Sequence, residues 1–82
     1  MELDQLNFEY LETQSLAKCF IWLVKYWEIE NIEMRVEERD VRGGIWLTIA
    51  FTYERRDYGV SGSRIDIVKT RLFKLLRSLG VE

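Results

Sequence analysis

A helical pattern of apolar positions occupies residues 14–28. Its apolar residues recur at steps of four, three and four along one face, and they are Leu16, Phe20, Leu23 and Trp27. This spacing predicts an amphipathic helix, with Thr13 or Ser15 as the residue that caps its N-terminus. Because Ile21 and Trp22 leave only a thin polar stripe, we expect this helix to be covered on more than one side.

Two later segments alternate between apolar and polar residues, which is the pattern of half-buried β-strands. One face carries Ile32, Met34 and Val36 in residues 32–39, and Ile45, Leu47, Ile49, Phe51 and Tyr53 in residues 45–54. The intervening residues 40–44 have the composition of a turn, so the two strands are predicted to form an antiparallel hairpin. A second turn at residues 54–57 leads into residues 58–60, and whether these form a third edge strand stays open.

A second helical pattern follows residue 63. Ser63, with Asp66 three residues later, resembles a capping box, and Gly80 is placed to end the helix. The apolar stripe consists of Ile65, Val68, Leu72, Leu75, Leu76 and Leu79. The order of elements predicts a two-layer α+β fold, α-β-β-(β)-α, whose antiparallel sheet carries both helices on its apolar face.

Residues 1–12 precede the first predicted helix and mix helical with alternating spacing, so their conformation stays ambiguous. Their apolar residues, which include Leu3, Leu6, Phe8 and Leu11, need a covering surface from this chain, a second copy or a partner. The predicted core comprises Leu16, Phe20, Leu23, Trp27, Val36, Leu47, Ile49, Phe51, Val68, Leu72 and Leu76. We interpret residues 1–82 as a single domain, since this length leaves no room for a second core.

The composition excludes most catalytic chemistry. The chain has no histidine, which removes the usual general acid-base group and the commonest metal ligand. Cys19 is the single cysteine, so an internal disulfide is excluded and a reducing compartment is favoured. No apolar run is long enough to span a bilayer. We therefore expect a cytoplasmic protein that is not an enzyme, has no cofactor, metal or small-molecule substrate, and does not associate with membranes.

The stretch from residue 32 to residue 76 resembles the double-stranded RNA-binding domain. It reads IEMRVEERDVRGGIWLTIAFTYERRDYGVSGSRIDIVKTRLFKLL, and the predicted helix at residues 16–27 precedes it. In that family a glycine-rich turn and a serine lead into a helix whose lysines grip phosphates. Here Gly59, Gly62 and Ser63 stand at the turn, and Arg64 stands at the first lysine position. The resemblance implies an α+β fold that binds duplex RNA without regard to sequence.

The chain departs from the family pattern at the other positions that contact RNA. Ile65 and Val68 replace the next cations, Asp66 adds an anion, and residues 41–44 lack the proline and histidine of the family's loop. The residues that would contact a nucleic-acid backbone are Arg42, Arg64, Lys69, Arg71 and Lys74. Binding of double-stranded RNA through these cations is the alternative hypothesis.

The preferred hypothesis is a non-catalytic protein–protein interaction module that self-associates or acts as an adaptor or inhibitor. The outward face of the predicted sheet places a tryptophan among small and polar groups, which is typical of an interface hot spot. The candidate interface residues are Trp46, Thr48, Arg35, Glu37, Ile21, Trp22 and Phe8. The charge is uneven, with ten acidic and four basic residues in 1–40 against four acidic and eight basic in 41–82. Such a charge pattern can orient a protein partner or a second copy of the chain.

Overall fold

The structure, a computed structural model, describes residues 7–38 and 44–81 of the chain. Its elements are α1 (Phe8–Leu11), α2 (Leu16–Tyr26), β1 (Glu30–Glu38), β2 (Ile45–Tyr53), β3 (Arg56–Gly62) and α3 (Ile65–Ser78). The strands form an antiparallel sheet in the order β1-β2-β3. The predicted α+β class is confirmed, and the third strand that the sequence left open is present. Residues 40–43 of the predicted turn lie outside the described residues.

Local hydrogen bonds explain where the helices begin. Ser15 caps α2, as predicted, because its hydroxyl oxygen accepts the backbone N–H of Lys18 at 3.3 Å. The capping box predicted at Ser63 is wrong. The chain is still extended at Arg64, which occupies the N-cap position of α3 without a side-chain cap. The carboxylate of Asp66 accepts a hydrogen bond from the Arg64 guanidinium instead, at 2.7 Å.

A two-residue turn joins β2 to β3. Its residues, Glu54 and Arg55, have φ angles of 50° and 66°, which is the left-handed backbone of a type I′ hairpin turn. Tyr53 pairs with Arg56 on either side of this turn. The turn is therefore two residues shorter than the predicted one, and β3 begins earlier than the short strand expected at residue 58.

The core lies between one face of the sheet and the helices, and we call this the helix-side face. Its buried apolar residues lie on α1, α2, β2 and α3 and in the segment that follows α2, and they are Phe8, Leu11, Cys19, Leu23, Ile29, Leu47, Ile49, Phe51, Val68, Leu72, Phe73 and Leu76. Leu16, Phe20 and Trp27, predicted for the core, pack against it and are partly buried. The aromatic ring of Phe8 anchors α1, with its centroid 5.2 Å from those of Trp27 and Phe73.

The prediction that Val36 lies in the core is wrong. Its side chain is 60% exposed, although Val36 pairs with the buried Leu47 and points to the helix-side face. Leu47 directly opposite is buried, so the helices reach this level of the sheet, but they cover the central strand β2 and leave the edge strand β1 largely open. Ile32 is the one residue of β1 that is not exposed.

Gly62 lies where β3 turns toward α3, and the side chains packed around it leave no room for a Cβ atom. A Cβ atom there would lie 3.0 Å from Cγ2 of both Ile67 and Val68. We expect Gly62→Ala to lower the free energy of unfolding by about 1–3 kcal/mol through overpacking, as measured by urea titration. Gly59→Ala is the matched control, because a Cβ there meets only the Ile49 carbonyl oxygen at an ordinary 3.6 Å. Equal losses in the two variants would contradict the close packing at Gly62.

Candidate interaction surfaces

The cations predicted to contact RNA are mostly bound by the chain's own groups. The Lys69 ammonium donates to the backbone carbonyl of Gln14, and the Arg71 guanidinium donates to the carbonyl of Ser61 at 2.5 Å. Arg64 pairs with Asp66 at 2.7 Å, and this hydrogen bond lowers the pKa of the Asp66 carboxyl group. Lys69, Arg71 and Arg64 are therefore occupied by contacts within the chain.

Two further basic residues, Lys74 and Arg77, lie on α3. Arg77, at the end of α3, binds the carboxylate of Glu12 at 2.7 Å. Lys74 is exposed, and its side chain makes no ion pair or hydrogen bond with the described residues. Arg42 lies outside the described residues. Of the predicted RNA-contacting residues that the structure describes, Arg64, Lys69 and Arg71 are therefore bound by groups of this chain, and the Lys74 side chain is not.

The outer face of the sheet, opposite the helices, is polar and shallow. Its side chains are Glu33, Arg35 and Glu37 of β1, Trp46, Thr48, Ala50 and Thr52 of β2, and Asp57 and Ser61 of β3. Trp46 and Thr48 are half-buried and lie opposite Glu37 and Arg35, respectively. A depression of about 360 Å³ is lined by residues that include Glu33, Arg35, Ala50, Thr52 and Asp57 of this face. The predicted sheet-face residues thus do share one surface.

An ion pair and a hydrogen bond join polar side chains on this outer face. Arg35 binds Glu33 on the same strand through Nη2 and Oε1, 2.6 Å apart. The hydroxyl group of Thr52 donates to the carboxylate of Asp57 across β2 and β3 at 2.8 Å. Both contacts are exposed to solvent, so each contributes little to stability. The Arg35 and Glu33 side chains remain available to exchange their partners.

The hairpin of β1 and β2 also exposes apolar side chains on its helix-side face. Met34, Val36 and Ile45 are 38%, 60% and 56% exposed, and we call these three residues the hairpin patch. The register makes them neighbours. Val36 pairs with Leu47 on β2, and Ile45 precedes Leu47 by two residues on the same face of that strand. The sequence pattern predicted these residues to face the helices but did not indicate that the helices stop short of them. The patch becomes visible only from the order of the strands, which places β1 at an edge of the sheet while the helices bury Leu47 and Ile49 on the central β2.

The other predicted interface residues differ in accessibility. Ile21 on α2 is 63% exposed. Trp22 is half-buried, stacked on Tyr10 at a centroid distance of 5.9 Å, with the Lys18 ammonium 5.1 Å from its ring. Phe8 is fully buried. In this conformation Ile21 is accessible to a partner, while Phe8 packs inside the chain's own core.

Cys19 is enclosed by the core and by backbone groups. Its thiol donates to the carbonyl of Leu11 at 3.1 Å, and burial raises the pKa of the thiol, opposed by the nearby positive charge of Lys69. A buried thiol with a raised pKa is a poor nucleophile. Cys19 therefore acts as a small apolar residue that connects α2 to α1.

In the described part of the chain, no helix combines the length and the apolar character that crossing a bilayer requires.

The order of elements, with a three-stranded antiparallel sheet between α2 and α3, is compatible with the topology of the double-stranded RNA-binding domain. The comparisons with protein-family models, with curated proteins and with solved structures found no match. The class defined by the fold is a small α+β domain with an extended, partly uncovered hairpin.

Proposed function

We propose that this chain is a non-catalytic protein–protein interaction module that binds through the hairpin of β1 and β2. The observation that carries the proposal is the hairpin patch. Its residues, Met34, Val36 and Ile45, lie on the same face of the sheet as the core but remain exposed in the described part of the chain. Exposed apolar clusters on small domains mark association sites. The outer face of the same hairpin adds the half-buried Trp46, a residue type enriched in interface hot spots. Such a hairpin can mediate either self-association or an adaptor or inhibitor role.

Site-specific photo-crosslinking in cells that express the protein tests this proposal. A photoreactive amino acid at Val36 is expected to give discrete protein adducts, identified by mass spectrometry. The same group at Lys74, an exposed position on α3, is the control and is expected to give none of them. Adding Ile45→Asp beside the probe is expected to abolish the adducts, because it places a charge in the hairpin patch. A Val36 probe that reacts no more than the Lys74 probe would contradict the proposal.

Double-stranded RNA binding is the competing hypothesis, and the contacts of the basic residues weigh against it. A phosphate would have to displace Asp66 from Arg64 and a backbone carbonyl from Arg71. We expect no measurable affinity for duplex RNA at about 50 mM salt, where even a few phosphate contacts strengthen binding strongly. Fluorescence anisotropy measures this affinity. Micromolar binding that Arg64→Ala abolishes would favour the RNA hypothesis instead.

A further inference from the structure

The free edge of β1 carries backbone groups that point away from the sheet. Because Tyr53 and Arg56 flank a two-residue turn, they exchange backbone hydrogen bonds, and such pairs alternate along the hairpin. The backbone N–H and C=O groups of the odd-numbered residues of β2 therefore form hydrogen bonds with β3, and those of the even-numbered residues form hydrogen bonds with β1. Since Thr48 pairs with Arg35, the odd-numbered residues of β1 bond to β2. The backbone groups of Met34 and Val36 consequently face the free edge.

The two edges of the sheet are treated differently. At the β3 edge, the Arg71 guanidinium of α3 donates to the outward carbonyl of Ser61 at 2.5 Å. At the β1 edge, no hydrogen bond among the described residues reaches the backbone of Met34 or Val36 from outside the sheet. An unpaired edge strand is a template for another strand. β1 contains neither proline nor lysine, and its bulge lies near its start, between Glu30 and Glu33.

We propose that two copies of this chain pair β1 against β1 in antiparallel orientation, with Met34 on the two-fold axis, to form a continuous six-stranded sheet. This inference rests on the proposed function and names its partner as a second copy. The register is chosen by the side chains of β1, because directly opposite residues on neighbouring strands interact.

Charge complementarity on the outer face favours this register. With Met34 on the axis, Glu33 of each copy lies opposite Arg35 of the other, so two opposite-charge pairs form. With Arg35 on the axis, the two Arg35 side chains would face each other and Glu33 would face Glu37. Like charges directly opposite one another are destabilising. That register is therefore disfavoured.

The helix-side face distinguishes this register from the one with Val36 on the axis, which would also bring Arg35 opposite Glu37. With Met34 on the axis, Met34 meets Met34 and Ile32 of each copy meets Val36 of the other, so the three central pairs on this face are apolar.

The like-charged Glu30 and Glu38 meet only at the two ends of the strand, beyond the bulge. With Val36 on the axis, Met34 would face the carboxylate of Glu38. The favoured register also covers Val36, the most exposed member of the hairpin patch. The charges disfavour the register with Arg35 on the axis and the apolar contacts disfavour the register with Val36 on the axis, so the arrangement centred on Met34 satisfies both.

Charge reversals on β1 test this arrangement by sedimentation velocity at micromolar concentration. The unmodified chain is expected to be a dimer. Arg35→Glu and Glu33→Arg each place like charges opposite one another twice, and each is expected to weaken dimerisation about tenfold or more. Both residues are exposed and their mutual ion pair contributes little, so folding is expected to persist. Lys74→Glu, the same charge change on α3, is the control and is expected to leave the dimer intact.

Restoration of the dimer identifies the register. A mixture of Arg35→Glu and Glu33→Arg chains puts Arg opposite Glu at both pairs, so the mixture is expected to form a heterodimer. The double variant Glu33→Arg/Arg35→Glu is expected to dimerise alone. With Val36 on the axis, the same double variant would oppose Glu at position 35 to Glu37 and would remain monomeric.

The remaining outcomes overturn the inference. A monomeric unmodified chain, or a dimer that neither single reversal weakens, would show that β1 does not pair with β1 in this way. The proposed function is tested separately, because crosslinks from Val36 to a different protein would support an interaction module whose partner is not a second copy. Loss of both the dimer and the Val36 crosslinks would contradict both proposals.

Discussion

Phe8→Ala is expected to lower the free energy of unfolding by about 3–5 kcal/mol, the range for a buried phenylalanine. Phe8 is fully buried, and its ring contacts Trp27 and Phe73 at centroid distances of 5.2 Å. The Arg77 guanidinium lies 5.8 Å from the same ring. Truncation would leave a cavity between α1, α2 and α3. Urea titration monitored by tryptophan fluorescence measures the loss.

Tyr10→Ala is the control for this prediction, because it removes an aromatic ring from the same short helix. Tyr10 is exposed and stacks on Trp22 at the surface, so its removal is expected to cost less than half as much as that of Phe8. If both variants unfolded at the same urea concentration as the parent, α1 would not be docked on the core. The short helix would then be a surface segment.

Leu72→Ala is expected to lower the free energy of unfolding by about 2–5 kcal/mol. Leu72 lies in α3 and is fully buried against the sheet. Leu75→Ala on the same helix is the matched control, since the chemistry and the helix propensities are identical. Leu75 is only partly buried, so its truncation is expected to cost clearly less. The two midpoints of urea unfolding give the comparison.

A larger loss for Leu75→Ala than for Leu72→Ala would mean that α3 is rotated about its axis relative to the sheet. The sequence pattern alone does not distinguish the two residues, because both belong to the apolar stripe predicted for this helix. Their difference in burial therefore tests the tertiary structure and not the periodicity.

Periodicity predicted the elements well where each depends on a single repeating pattern. The helix capped by Ser15 and the alternating strands β1 and β2 were predicted because their patterns extend over several repeats. Residues 1–12 gave no clear pattern, since α1 covers only Phe8–Leu11. A single turn of helix forms through its packing, and the packing of Phe8 on Trp27 and Phe73 involves residues far apart in sequence.

The candidate surfaces were predicted only in part, for a related reason. Alternation placed Trp46, Thr48, Arg35 and Glu37 on one face, and the sheet confirms that they share it. The same alternation placed Val36 inside, because a pattern shows which way a side chain points and not whether another element reaches it. The contacts of Lys69 with Gln14 and of Arg77 with Glu12 join residues 55 and 65 positions apart. No local pattern encodes such contacts.

By itself, the sequence determined the α+β class, the faces of α2, β1 and β2, and the exclusion of histidine chemistry. These properties depend on residue type and on spacing within one element. Only the tertiary structure decided that α1 docks on the core, that Lys69, Arg71 and Arg77 of α3 bind the chain's own groups and that the helices leave part of the hairpin exposed. Each of these depends on how separate elements pack against one another, which the spacing within one element does not encode. Met34 and Val36 of the hairpin patch are exposed because β1 lies at the edge of the sheet, while the helices bury their neighbours on the central strand β2.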